Sequence, residues 1–184
     1  MKIPTILFIF LLVLPAWSSA ALNNEAPDSP DIKQTSHRSS SRAKMLKALP
    51  AYSTIYDPQR DAFKDGAAAV ALATETNRRI LIELGGNWCT WCHRMEAFFK
   101  KNPDVEQKLH ETFVMLKINV NNENDNAEFL KAFPKALGYP HMYVSEYNGS
   151  VLWSKDTAEF VVNGSYSKEA FLTFFDQWNI KNKK

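Results

Sequence analysis

The sequence predicts an α/β domain that is built on one central mixed β-sheet flanked by helices. From residue 51 to the C-terminus, apolar strand-like runs alternate with amphipathic helix-like segments, an order that layers helices onto a sheet. Asn148-Gly149 between two apolar runs predicts a tight hairpin, so the sheet should contain antiparallel as well as parallel pairs. Hydrophobic residues make up 45% of the 184 residues, which is enough for a core of this size.

Residues 1–20 have the pattern of a secretory signal peptide. A positively charged start is followed by the apolar run Ile6–Leu14, and Ser18-Ser19-Ala20 places small residues where a signal peptidase cleaves. The run is shorter than the about 20 apolar residues that cross a bilayer, although an uncleaved anchor is the alternative. The pattern predicts a periplasmic or secreted protein, in a compartment where disulfides persist.

Residues 21–50 are rich in Ser, Asn, Asp and Pro and lack an apolar period, so they predict a flexible arm before a folded domain at residues 51–184. The formal net charge is +2, and basic and acidic side chains are nearly balanced within residues 51–184. This distribution predicts no basic face and argues against a nucleic-acid partner. Two cysteines are too few for a disulfide-rich scaffold.

The first half of the domain is predicted as strand, helix, strand, helix. A run of alanines favours the first helix, and a proline ends the second. The second strand is continuously apolar except for one glutamate, which is typical of a buried central strand. The four predicted elements are the strand Tyr52–Tyr56, the helix Asp57–Asn77, the strand Ile80–Leu84 and the helix Cys89–Asn102.

The second half is predicted as a helix, a strand, another helix, the hairpin and a last helix. Apolar periodicity indicates the first three, and a serine supplies the N-cap of the last helix, whose aromatic residues face the core. The predicted elements are the helix Asp104–His110, the strand Phe113–Val120, the helix Asn124–Leu137, the hairpin strands Met142–Tyr147 and Val151–Trp153, and the helix Ser167–Trp178.

Cys89 and Cys92 carry the chemistry that the sequence predicts. They have the C-x-x-C spacing, after a buried strand and at the start of a helix. The helix N-terminus presents free N–H groups and a positive dipole end to Cys89, which stabilises its thiolate. We expect Cys89 to attack and Cys92, one turn further in and less exposed, to resolve the mixed disulfide. A structural disulfide is the alternative, although closing so short a loop stabilises a chain little.

The chain resembles the thioredoxin superfamily over about residues 60–180. The likeness rests on the C-x-x-C pair together with Glu83 in the central strand, Trp88 before the first cysteine, Lys117 in the next strand and Pro140 after Gly138-Tyr139. The resemblance implies a thioredoxin fold with a cis-proline at position 140 that faces the disulfide. It also implies that Glu83, which is costly to bury unless protonated or paired, accepts and returns the proton of Cys92.

Within this superfamily, Cys89–Met95 and Asn102–Val105 are most similar to a secreted single-domain branch. That branch is similar to the C-terminal domain of the bacterial transmembrane thiol:disulfide interchange reductase. The chain departs from the superfamily pattern at three places. Thr90-Trp91 replaces the Gly-Pro of thioredoxin, Tyr139 replaces a small or β-branched residue before the proline, and residues 154–160 look inserted.

The resemblance implies a thiol–disulfide oxidoreductase that acts on protein disulfides or dithiols, and a lone small domain favours a reductase. The electrons reside in the cysteine pair, so we expect no bound cofactor and no metal. We expect a monomer that is reset by a membrane redox partner. The residues expected to act are Cys89, Cys92 and Glu83, with Pro140 pairing with the substrate chain and with Trp88, Trp91 and Tyr139 as an apolar substrate surface.

Two other functions fit parts of the same sequence. Cys89 to His93 also satisfies C-x-x-C-H, the attachment motif of c-type haem, with His93 as one axial ligand and Met115 or Met142 as the other. That interpretation gives the buried acid no role. A redox-inert binding module would use the Tyr139-Pro140 groove to hold client chains and would not need both cysteines.

Overall fold

The computed structural model describes residues 48–182 together with His37, Ser40, Arg42 and Lys44. The predicted signal peptide and most of the predicted arm lie outside the described residues. The four described residues before position 48 are helical, a local structure that the prediction of an arm did not include. The Arg42 guanidinium forms an ion pair with Glu106. No helix in the described part of the chain is long and apolar enough to cross a membrane.

Four strands form the predicted mixed sheet: β1 (Arg79–Gly85), β2 (Phe113–Asn119), β3 (His141–Ser145) and β4 (Val151–Asp156). Their spatial order is β2-β1-β3-β4. β1 runs parallel to β2 and antiparallel to β3, which pairs in turn with β4 across the predicted hairpin. Every residue of β1 is buried, as expected for a central strand that is covered on both faces.

Helices flank this sheet, and a small ribbon precedes the last of them. Within residues 48–182 the α-helices are α1 (Ala62–Thr76), α2 (Thr90–Lys101), α3 (Pro103–Thr112), α4 (Ala127–Leu130) and α5 (Lys168–Trp178). The ribbon pairs β5 (Val161–Val162) with β6 (Ser165–Tyr166). Ser167 caps α5 as predicted, since its hydroxyl accepts a hydrogen bond from the Ala170 N–H.

The alternation of side chains along β1 divides them between two cores. Ile80 and Ile82 pack with the alanines of α1. Leu81 points the other way and packs with apolar side chains of α2, α3 and α5. Glu83 is two residues after Leu81, so its side chain lies on the same face of the sheet. Lys117 of β2 is paired with Glu83 in the parallel register. The strand therefore places a buried acid on the side of the sheet where α2 begins with the cysteines.

The predicted strand Tyr52–Tyr56 was wrong. A three-ten helix covers Ala51–Ser53, where the Ser53 N–H donates to the Pro50 carbonyl. The Ser53 hydroxyl donates in turn to the Met115 carbonyl at 2.7 Å. These contacts use backbone and side-chain polar groups locally, so the segment is held against β2 without joining the sheet.

Two predicted helices begin or end elsewhere. The helix predicted over Asn124–Leu137 is confined to the four residues of α4, because Asn126 adopts a left-handed conformation and Pro134 cannot continue a helix. The helix predicted from Asp57 begins only at α1. Asp61 decides this start, since its carboxylate accepts hydrogen bonds from two N–H groups of the first turn.

Candidate active site

Cys89 and Cys92 are joined in a disulfide at the N-terminus of α2, with an S–S distance of 2.15 Å. Cys89 is the N-cap of the helix, and its sulfur accepts a hydrogen bond from the Cys92 N–H at 3.1 Å. The two residues are 2% and 1% exposed, so the expected difference in their exposure is small in this disulfide form. The position at a helix N-terminus favours a thiolate on Cys89 once the disulfide is reduced.

Gly85, the last residue of β1, is required by the packing beneath the disulfide. A Cβ at this position would lie 2.5 Å from Cys92 Sγ and 2.7 Å from the Tyr56 hydroxyl. Both distances are far shorter than ordinary van der Waals contact, so only glycine lets the strand approach the sulfur and the ring so closely.

Tyr56 connects the disulfide to Glu83. Its ring packs in one buried cluster with both cysteines, and its hydroxyl donates a hydrogen bond to Glu83 Oε1. Burial, together with the neighbouring Glu83 carboxylate, raises the pKa of Tyr56 well above its ordinary value. Tyr56 is therefore a neutral donor at neutral pH, and Glu83, only 2% exposed, has a partner inside the site.

Lys117 completes the charged group around Glu83. Its Nζ lies 2.6 Å from Glu96 Oε1, 3.8 Å from Glu83 Oε1 and 4.7 Å from the centre of the Tyr56 ring. Burial acts to lower the pKa of Lys117, but the carboxylates of Glu83 and Glu96 outweigh it, and the net pKa is raised. Lys117 is thus a cation shared by two carboxylates. A cavity of about 220 Å³ borders all three charged side chains and Ser53.

The structure brings two of the three predicted substrate-binding aromatics together. Trp88 is 55% exposed and meets Tyr139, which is 38% exposed, edge to face with ring centroids 5.4 Å apart. The Trp88 indole N–H donates to the Val120 carbonyl at 2.6 Å, which fixes the ring. Trp91 lies apart from this pair, because its ring packs against Tyr166 instead.

Pro140 lies at the same end of the sheet as the disulfide, and the Tyr139-Pro140 peptide bond is cis, as the resemblance implied. The register pairs Leu84 with His141, so Pro140 follows on beside Gly85, which abuts Cys92 Sγ. The Pro140 carbonyl accepts a hydrogen bond from the Thr157 hydroxyl.

Side-chain positions do not favour the haem interpretation. His93 Nε2 donates to the Asn87 carbonyl at 2.8 Å, and its side chain is 55% exposed on α2. Met115 and Met142 are 3% and 0% exposed and lie within the core that α2, α3 and α5 cover. Neither methionine therefore faces the surface on which His93 lies.

Sequence reasoning missed four residues of this site, namely Tyr56, Gly85, Glu96 and Thr157. Glu96 had a usable signal, because it lies one helical turn after Cys92 and thus on the same face of α2. Gly85 could be interpreted only as a strand breaker. Tyr56 and Thr157 are brought to the site by irregular segments whose paths no periodicity describes.

Comparison with known proteins finds a family model that matches part of this chain. The sequence model of the Thioredoxin-like family matches residues 61–145. The thiol:disulfide interchange protein DsbD of Actinobacillus pleuropneumoniae serotype 5b is 26% identical over 106 residues, and DsbD of Klebsiella pneumoniae is 26% identical over 108 residues. These matches cover 58% and 59% of this chain but only 17% of each relative.

Solved structures show the same fold. A disulphide isomerase from Xylella fastidiosa Temecula1 is 26% identical, with a TM-score of 0.54 over 70% of this chain and 95% of its own. The C-terminal domain of Neisseria meningitidis DsbD in the oxidised form is 19% identical, with a TM-score of 0.51 over 68% of this chain and 99% of its own. Residues 61–145 therefore match a thioredoxin-like domain, and the fold of the described residues is similar to that of the disulphide isomerase and of the C-terminal domain of DsbD.

Proposed function

We propose that this chain reduces protein disulfides in an exported compartment, with Cys89 as nucleophile and Cys92 as resolving thiol. One observation carries the proposal. The disulfide at the N-terminus of α2 packs on a buried tyrosine whose hydroxyl is bonded to the buried carboxylate of Glu83. A disulfide that served only to staple the chain would not need a buried acid beside it.

The reaction begins from the reduced pair. The Cys89 thiolate attacks one sulfur of the substrate disulfide, which forms a mixed disulfide and releases the first substrate thiolate. Cys92 passes its proton to Glu83 and attacks Cys89 Sγ, which closes the Cys89–Cys92 bond and releases the second substrate thiolate. Two electrons have then moved to the substrate, whose sulfurs take up the proton from Glu83 and one from solvent.

Glu83 can take part in this transfer because its neighbours keep it paired while buried. Tyr56 donates a hydrogen bond to it and Lys117 supplies a nearby positive charge. The adjoining cavity of about 220 Å³ exceeds the about 30 Å³ that a water molecule occupies in the liquid, so water can carry the proton away. Glu96, which shares Lys117, lines the same cavity.

The substrate chain would bind at the exposed pair of Trp88 and Tyr139 and along the backbone at Pro140. An aromatic pair at a solvent boundary offers apolar area to an unfolded or extended segment. Trp91 contributes from the side of α2, separately from that pair.

Export and recycling complete the proposal. Residues 1–20 would direct the chain to the periplasm or the medium, where it acts as a monomer. The chain spans about a sixth of the length of the DsbD proteins it matches. A membrane redox partner would return two electrons to the cysteine pair after each turnover.

The test is a redox titration of the mature protein, followed by Trp fluorescence and thiol labelling. A midpoint near the about −270 mV of thioredoxin supports a reductase, whereas a midpoint near the about −120 mV of a strong oxidant contradicts that direction. Glu83→Gln should slow exchange by about 100-fold, the lower end of the range for a general acid or base. Glu128→Gln, at a position with an 82% exposed side chain, is the matched control and should not slow it. Full client binding by an inactive Cys89→Ser protein, with no titration of the wild-type pair, would favour the binding module instead.

A further inference from the structure

A groove of about 660 Å³ lies beside the active site on the side of Trp91. It runs between α2 and the β5–β6 turn. We call it the basic groove, because three cations line it and no carboxylate does among the residues that the structure describes. Its aromatic and basic lining residues are Trp91, Phe98, Tyr166, Arg94, Lys101 and Lys168.

Two of the three cations lack a carboxylate partner within the described residues. Lys168 Nζ is 2.5 Å from Asp104 Oδ2, so its charge is compensated. Arg94 is exposed and stacks on the Trp91 ring, with its guanidinium carbon 4.5 Å from the ring centre. Lys101 is exposed at the end of the same helix. The basic groove therefore has a net positive charge from Arg94 and Lys101.

The surface near Trp88 has the opposite sign. A second groove, of about 610 Å³, begins at this tryptophan and is lined by Glu123 and Asp125, with no basic side chain among its described lining residues. Trp88 directly precedes Cys89, and Trp91 directly precedes Cys92. A polypeptide that reaches the disulfide therefore meets negative charge beside Trp88 and positive charge beside Trp91.

We infer that the basic groove binds an acidic segment of the substrate protein, close in sequence to the cysteine that exchanges with Cys89. This inference rests on the proposed function and names the class of its substrate. Opposite charges raise the rate of encounter and orient the chain, because Glu123 and Asp125 repel the same segment from the other groove. The Trp91 and Tyr166 rings add apolar contact for the stem of a bound side chain.

The experiment compares three disulfide-linked peptide dimers that differ only in four residues next to the cysteine, which are Glu, Ser or Lys. The reduced protein is mixed with each dimer, and the exchange rate is followed by Trp fluorescence. Each rate is divided by the rate of dithiothreitol with the same peptide, which cancels the intrinsic reactivity of the peptide disulfide. At low salt we expect the Glu peptide to react about 5-fold faster than the Ser peptide and the Lys peptide more slowly, with the differences lost in about 0.5 M NaCl.

Variants locate the effect. Arg94→Gln combined with Lys101→Gln should abolish the preference for Glu and leave the Ser peptide rate unchanged. Lys64→Gln combined with Lys131→Gln is the matched control, since it also removes two positive charges and both lysines are exposed and line neither groove. Equal normalised rates for all three peptides, or a preference that survives the double substitution of Arg94 and Lys101, would overturn the inference and leave the proposed function intact. No reaction with any of the peptides would overturn the proposed function and this inference with it.

Discussion

Gly85→Ala adds only one methyl group, but it should strongly destabilise the oxidised protein. The new Cβ would lie 2.5 Å from Cys92 Sγ and 2.7 Å from the Tyr56 hydroxyl, whereas ordinary contacts begin near 3.4 Å. Almost 1 Å must therefore open between buried groups. Cys92 is tied to Cys89, and Tyr56 is only 5% exposed, so neither can move into solvent without cost.

The magnitude follows from two effects. Forcing an extra methyl into a packed site costs about 1–3 kcal/mol. Displacing Tyr56 also weakens its hydrogen bond to Glu83, and a bond to a charged group is worth about 1.5–3 kcal/mol. Because one movement causes both losses, they are not additive, and we expect a loss of about 2–4 kcal/mol in the free energy of unfolding.

Urea unfolding of the oxidised protein at pH 7 measures this loss. Gly138→Ala is the matched control, since a Cβ there meets no atom within 4 Å and its backbone is not left-handed. That substitution should change the free energy of unfolding by less than about 1 kcal/mol. If Gly85→Ala were as stable as Gly138→Ala, the close packing of β1 against the sulfur and the ring would be refuted.

Three further predictions address the site, a buried histidine and the substrate surface. Tyr56→Phe should lower the free energy of unfolding by about 1.5–3 kcal/mol, because it leaves Glu83 without its donor, and a loss under about 0.5 kcal/mol in urea would contradict that bond. Burial, then the charge of Arg78, lowers the pKa of His110 from 6.5 to about 4, so the unfolded chain takes up this proton first as the pH falls. Stability should therefore decline between about pH 6.5 and 4, by up to about 3 kcal/mol, and urea midpoints at pH 7, 5.5 and 4.5 should show a flatter decline in His110→Gln. Trp88→Ala should slow exchange with peptide disulfides several-fold and leave exchange with dithiothreitol unchanged, and equal effects on both would argue against a substrate-binding role.

Regular periodicity explains what could be predicted of the fold. The continuous apolar run around Glu83 predicted a central strand, and β1 is the buried centre of the sheet. Ser167 predicted the start of α5, and Asn148-Gly149 predicted the hairpin in which Gly149 has a φ of 90°. In each case the interactions that determine the element lie within a few residues of sequence, so a local pattern contains them.

The wrong predictions share a different cause. Tyr52–Tyr56 has strand-like composition, but the Ser53 hydroxyl bonds to Met115, 62 residues away, and the segment turns instead of pairing. The predicted helix after β2 had suitable composition, yet a left-handed Asn126 and Pro134 restrict it to one turn. Long-range contacts and single backbone conformations outweigh propensity where a segment has few local interactions of its own.

The sequence by itself determined the α/β class, the dithiol pair and the buried acid. The C-x-x-C spacing and an acid within an apolar run are patterns of residues that are close together in the sequence. Only the tertiary structure decided how that acid is paired. Tyr56, Lys117 and Glu96 come from three separate segments, and their distances of a few ångströms arise from strand register and helix packing. The same holds for the grooves of opposite charge beside Trp88 and Trp91. A nearly neutral composition does not reveal them, because the charges become separated only when the chain folds.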